Sequence, residues 1–229
     1  MDFSRVSGIE IPEGEVKKLK IGDKEAWSGE PEGLCIEVVE PNLQVMVEKV
    51  GSPNPIELVY SLGGEFMDLP IGQYVRFYNK GEKMWIRAKN QNATFSKNMD
   101  NRYHIKLNTG KANVKGNLQY LLDCTGQRKD APANCFAYLF GSNYHNMLEG
   151  PDLTATELGN CCYDRIFSNV QELKSFTVHF TAWGTDIFNL PTNYWCLGVP
   201  STGDFYCPEA LSEKRGSQYV PNGWTIHRF

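Results

Sequence analysis

The stretch Tyr103-His104-Ile105-Lys106-Leu107-Asn108 alternates apolar and polar side chains residue by residue, the period of a strand with one face buried and the other in water. Met84, Ile86 and Ala88, alternating with Trp85, Arg87 and Lys89, repeat that period. From Leu34 to about Val114 some five or six such segments recur, parted by turn formers at Pro53-Asn54-Pro55, Gly63-Gly64, Pro70-Ile71-Gly72, Asn79-Lys80-Gly81 and Asn98-Met99-Asp100-Asn101. Strands this short, at this spacing, predict an antiparallel β-sandwich over residues 34–115. Composition agrees: charged residues make up only 22% of the 229, aromatics reach 12%, and 21 Gly with 12 Pro favour strands and turns over long helices.

Outward from this region the pattern changes on both sides. In residues 1–29, Ile9, Ile11, Val16, Leu19 and Ile21 are interleaved with charges, Pro12-Glu13-Gly14 and Gly22-Asp23 mark turns, and Trp27 closes the segment. Two or three short strands fit, and a β-hairpin unit is expected. Residues 30–33 are polar turn formers without an apolar anchor and read as a linker. After Gly116 the apolar positions recur at about 27 residues: Cys135-Phe136-Ala137-Tyr138-Leu139-Phe140 is echoed by Cys162-Tyr163-Asp164-Arg165-Ile166-Phe167. Within each copy the spacing of Cys135 to Leu139, and of Cys162 to Ile166, suits one short helical turn. Phe176, Val178 and Phe180 alternate as a strand would, so a short solenoid is expected over 116–229. Its cap would be a short helix opened at Pro208 and stopped at Gly216, with Val220–Ile226 returning as a turn and a strand. The expected fold class is therefore mainly β with short helices, a β-rich α+β arrangement.

The same residues exclude most chemistries. Net charge is −4 and the basic residues form no stripe able to neutralise phosphates in register, so nucleic acid is not an expected partner. No apolar run approaches the roughly 18 residues that cross a bilayer, and Met1-Asp2-Phe3-Ser4-Arg5 lacks the layout of a secretory signal, which predicts a start in reducing cytoplasm. The seven cysteines include no Cys-x-x-Cys and sit beside apolar residues, so buried free thiols are expected rather than a zinc site. His104 and His179 fall on the polar side of alternating strands and read as solvated. Asn108-Thr109-Gly110-Lys111 lacks the first glycine and the hydroxyl of a phosphate loop. No catalytic, metal or cofactor site is expected, and the chain reads as non-enzymatic. Trp183, Tyr194 and Trp195, with Phe205, Tyr206 and Trp224, form the one aromatic concentration. It reads either as a platform for a cell-surface glycan or as the core of the cap.

Gly116-Asn117-Leu118-Gln119-Tyr120-Leu121-Leu122, the repeated Asn-Cys-aromatic unit, and Gly198–Pro208 followed by Val220-Pro221-Asn222-Gly223-Trp224-Thr225 resemble the BspA-like leucine-rich-repeat proteins of gut Bacteroidales and their phages. Ile9–Trp27 is similar to the short leader of phage virion proteins. The resemblance implies a leucine-rich-repeat-like stack after a β-sandwich. It also implies a role as a structural component of a virion, as head fibre, capsid decoration or tail adhesin. In that setting Ile9, Ile11, Val16, Leu19, Ile21 and Trp27 would serve attachment to the capsid or other virion proteins and assembly of a homo-oligomer, a trimer. The alternative it implies is a bacterial cell-surface adhesin or glycan-binding module.

Overall fold

The computed structural model describes residues 19–21, 24–27, 30–143, 145–186 and 189–229. The chain divides into two compact units, Met1–Pro31 and Glu32–Phe229. In the first, β1 (Leu19–Ile21) and β2 (Lys24–Trp27) pair antiparallel with Leu19 opposite Trp27. Ile9, Ile11, Val16 and both expected turns of this unit lie outside the described residues.

The second unit is mainly β. Its spine is the antiparallel pair of β3 (Leu34–Val50) and β9 (Asn101–Lys115), in register from Cys35 opposite Lys115 to Val50 opposite Arg102. Between them the chain lays down β4 (Leu58–Ser61), β5 (Met67–Asp68), β6 (Val75–Arg76), β7 (Lys83–Ala88) and β8 (Ser96–Asn98). The alternation seen in the sequence holds along most of the spine, because Ile36, Val38, Val45 and Val47 of β3 and Tyr103, Ile105, Leu107, Ala112 and Val114 of β9 are all buried, His104 being buried as well. It fails where β3 bulges at Glu40-Pro41-Asn42. Pro41 has no N–H to give a ladder, Asn42 takes a left-handed φ of 65°, and the register slips on either side of Glu40.

Residues 34–115, expected to close a two-sheet sandwich, contribute instead to one 11-stranded sheet that runs on into the repeat region. After a 3-10 stretch at Leu118–Leu121 and β10 (Asp130–Ala131), strand β11 (Met147–Leu153) pairs parallel with β9. Beyond it, after β12 (Glu157–Leu158), come β13 (Ser175–Val178), β14 (Asp204–Cys207) and β15 (Thr225–Arg228), each parallel to the one before. Strand period specifies which face of β3 and β9 is buried but not which layer covers it. Here one core runs unbroken from Leu34 to Trp224, with no break at residue 115.

Opposite the parallel strands lie three runs of consecutive turns, around 133–142, 160–169 and 191–198. These occupy the place where the sequence spacing predicts helical turns. Every fourth residue is left-handed: Asn134, Tyr138 and Ser142 in the first run, Cys161, Arg165 and Asn169 in the second, Tyr194 and Gly198 in the third. A left-handed residue ends a right-handed helix, so each run curls as a string of tight turns. Alternate N–H groups bond inside their own turn, and the others reach the next coil. Phe136, Tyr138, Phe140 and Ser142 donate to the carbonyls of Cys162, Asp164, Ile166 and Ser168, and Tyr163, Arg165, Phe167 and Asn169 to those of Pro191, Asn193, Trp195 and Leu197. The expected cap helix after Pro208 is absent among the described residues. Arg215 instead donates to the carbonyl of Trp224 at 2.7 Å and bridges to Val220, and β15 follows as the returning strand.

Candidate functional site

Of the two readings of the aromatic cluster, the core is where its tryptophans Trp183 and Trp195 fall. Trp183 and Trp195 are 2% and 0% exposed. Their indole N–H groups are used up inside, Trp183 donating to the Ser212 carbonyl at 2.7 Å and Trp195 to that of Tyr219 at 2.8 Å. Trp195 meets Phe176 edge-on at 5.1 Å, and Trp183 lies over Phe205 at 6.2 Å. An indole that is apolar on its faces and paired at its nitrogen is a core residue, so of the two readings these two side chains take the core one. Tyr194 stays exposed, its ring under the Arg165 guanidinium at 5.1 Å.

His104 is a second correction. It is buried rather than solvated, with its ring 5.8 Å from that of Tyr138 in the first turn run. Burial pushes its pKa down to about 4, against the upward pull of Glu48, whose carboxylate is 3.8 Å from Nδ1. The enclosed imidazole is therefore neutral at pH 7. The seven thiols are all free. Burial holds Cys135 near 11 and pushes Cys162 and Cys196 well above the ordinary thiol value, which makes them poor nucleophiles. Among the described residues no group of His, Cys, Asp and Glu is placed to hold a metal ion, and no helix is long and apolar enough to cross a membrane. A cleft of about 450 Å³ is lined by Gln91, Leu122, Asp123, Gln127 and Arg128. Its charged groups are already committed: Arg128 grips Asp130 through two bonds of 2.7 Å, and Asp123 accepts from Thr125 at 2.7 Å.

The surface that gathers polar and aromatic side chains in ordered rows is the outer face of the parallel strands. Phe176, Val178, Phe205 and Cys207 point into the core, so the residues between them point out. Register aligns these in two rows across the sheet. One runs Asp152, Thr177, Tyr206, His227, and the other Glu149, Ser175, Asp204, Thr225. Tyr206 is 38% exposed. Its ring stacks on that of His227, with centroids 4.7 Å apart and planes within 18°. His227 Nε2 is held by Asp204 Oδ1 at 2.7 Å, which fixes the imidazole against the phenol. Sequence reading passed over this pair because Tyr206 and His227 belong to different coils, and only the parallel register makes them neighbours. Alternation around Phe205 and Cys207 was the signal that Tyr206 faces outward.

Comparison with family models, with curated proteins and with solved structures finds no match to this chain. The class that fold and surface define is a mainly β protein whose parallel strands and turn runs enclose one aromatic-rich core.

Proposed function

We propose that this chain is a structural component of a bacteriophage virion, of the BspA-like kind, which attaches through residues 1–31 and projects residues 32–229 as a surface module. The observation that carries the reading is the division into two units of unlike self-sufficiency. The larger unit has a continuous buried core of its own. Among its described residues the smaller one pairs two strands of three and four residues, and a two-stranded hairpin by itself is marginal in water. The apolar Ile9, Ile11, Val16, Leu19, Ile21 and Trp27 of the sequence are the side chains through which copies of the unit would associate or dock on a capsid. Symmetric association, as in a trimer, multiplies weak surface contacts into avidity.

A chain lacking residues 1–31 should remain folded and monomeric, with the thermal transition of the larger unit intact, and should be missing from purified particles that contain the full chain. Incorporation of the truncated chain at the full-length level refutes the assignment. The exposed Tyr206–His227 pair favours a second reading, a bacterial cell-surface adhesin or glycan-binding module. That reading predicts the chain on cell envelopes rather than in particles.

A further inference from the structure

We infer that the outer face of the parallel strands is a saccharide-binding site, with the Tyr206 ring as stacking surface and Thr177, Asp152 and Asp204 as polar partners. The inference deepens the reading of residues 32–229 as a projecting module and rests on it for biological setting, but not for its physical test.

The geometry begins with the ring pair. Tyr206 and His227 are direct partners on adjacent strands, and their centroid separation of 4.7 Å equals the spacing between strands. Near-parallel rings at that separation stand on edge, with their faces along the interstrand direction. One face of Tyr206 is covered by His227. The other looks over Thr177, its partner on the next strand, whose short side chain forms a low floor. Asp152 follows one strand further on, about 10 Å from Tyr206 by strand spacing. The result is a slot one ring deep, walled by a flat phenol, floored by a hydroxyl and closed by a carboxylate. A pyranose ring laid on Tyr206 at about 4 Å places the C–H groups of one face on the phenol and the equatorial hydroxyls of its lower edge toward Thr177, while an axial hydroxyl of its far face points toward Asp152. Asp204 accepts from His227 through Oδ1, which leaves its second oxygen to accept from a sugar hydroxyl at the slot's edge.

The surrounding charge selects among ligands that stack on a phenol. Glu149, Asp152 and Asp204 lie in the two rows, and Lys115 of β9, the cation that acts on Glu149, is held by Glu37 at 2.6 Å, so the face stays acidic and a nucleotide's phosphates would be repelled. A lysine-type cation would suit the carboxylates but would find one open aromatic face rather than a cage. A neutral, hydroxyl-rich ring uses every group present.

The test is a titration of the full chain against a panel of neutral hexose oligosaccharides, with tetralysine as the cationic comparator, followed by tyrosine fluorescence and NMR. At least one neutral oligosaccharide should bind, with affinity unchanged by raised ionic strength. Tyr206→Ala should weaken it by about tenfold or more, Tyr206→Trp should retain it, and Thr177→Phe should block it by filling the floor. Tyr206 is exposed, so an unchanged melting curve certifies the fold of these variants. Absence of binding across the panel, binding indifferent to Tyr206→Ala, or salt-sensitive binding of tetralysine alone each overturns the inference. Failure here in a chain that still joins particles sinks the saccharide site only. Saccharide binding by a chain never found in particles sinks the virion reading only.

Discussion

The Phe140 ring lies flat on that of Phe167 one coil along, with centroids 6.1 Å apart and planes within 12°. Both side chains are fully buried. They occupy equivalent places in successive turn runs, and the Phe140 N–H donates to the Ile166 carbonyl just beside the stack. Backbone ladder and ring stack thus hold the same two coils together. Phe140→Ala or Phe167→Ala should each cost about 3–5 kcal/mol, the range for removing a buried aromatic. Because the two rings share one contact surface, the double variant should cost less than the sum. Urea denaturation of the singles and the double measures both quantities.

The strands were legible in the sequence and the turn runs were not, for a physical reason. Alternation along Tyr103–Leu107 fixes a buried face wherever that face meets a core, so β9 follows from local pattern. A spacing of four, as between Cys135 and Leu139, serves both an α-helix and a tandem turn with a left-handed residue every fourth position. Asn134 and Asn169 are types that tolerate that conformation, but Tyr138, Arg165 and Tyr194 give no such sign. The repeat length was therefore readable while its conformation was not. His104 was misjudged because alternation assigns it to the far side from Ile105 without revealing that Tyr138 of the first run covers that side as well. Trp183 and Trp195 were ambiguous because a tryptophan-rich cluster serves a core as well as a platform, and only the carbonyls at their indole nitrogens decide between the two.

Asn143 completes the free edge of β9 before β11 takes over the pairing. Its side-chain amide donates to the Ile105 carbonyl at 2.8 Å and accepts from the Leu107 N–H at 2.9 Å, and it is 2% exposed. The side chain therefore does for two backbone groups what a neighbouring strand would do. Asn143→Leu fills a similar volume but leaves a buried donor and a buried acceptor unpaired, and should cost about 2–4 kcal/mol. Hydrogen exchange should report it locally, with the Leu107 amide losing protection before amides of β13.

Gly110 lies across from the β3 bulge. A methyl group there would sit 2.4 Å from the Glu40 carbonyl oxygen, 2.6 Å from that of Pro41 and 2.8 Å from the Leu43 nitrogen. All three are backbone atoms and cannot swing aside, so Gly110→Ala must push the spine pair apart. The expected cost is about 1–3 kcal/mol, the scale of overpacking. Gly63→Ala is the comparator, since nothing lies within 4 Å of its added methyl and only its φ of +104° opposes the change. Gly110→Ala should lower the urea midpoint more than Gly63→Ala, and equal effects would show that the spine can open at the bulge.

His104 gives the fold a dependence on pH whose sign follows from its burial. Burial lowers its folded pKa to about 4, with Glu48 opposing that shift and Lys106 and Arg102 reinforcing it. An unfolded chain titrates this histidine near 6.5. The folded state thus binds the proton less readily, and its stability is complete above about pH 6.5 and declines as pH falls toward 4. Integrating the difference gives a loss of about 2 kcal/mol by pH 5. Carboxylates add their own acid sensitivity, so the quantity to read is a difference between proteins. From pH 7 to pH 5 the wild-type chain should lose about 2 kcal/mol more unfolding free energy than His104→Gln, whatever the variant's starting stability. Parallel curves for the two chains would mean that the imidazole takes up its proton inside the fold, through the 3.8 Å approach of Glu48, and that burial does not set its charge.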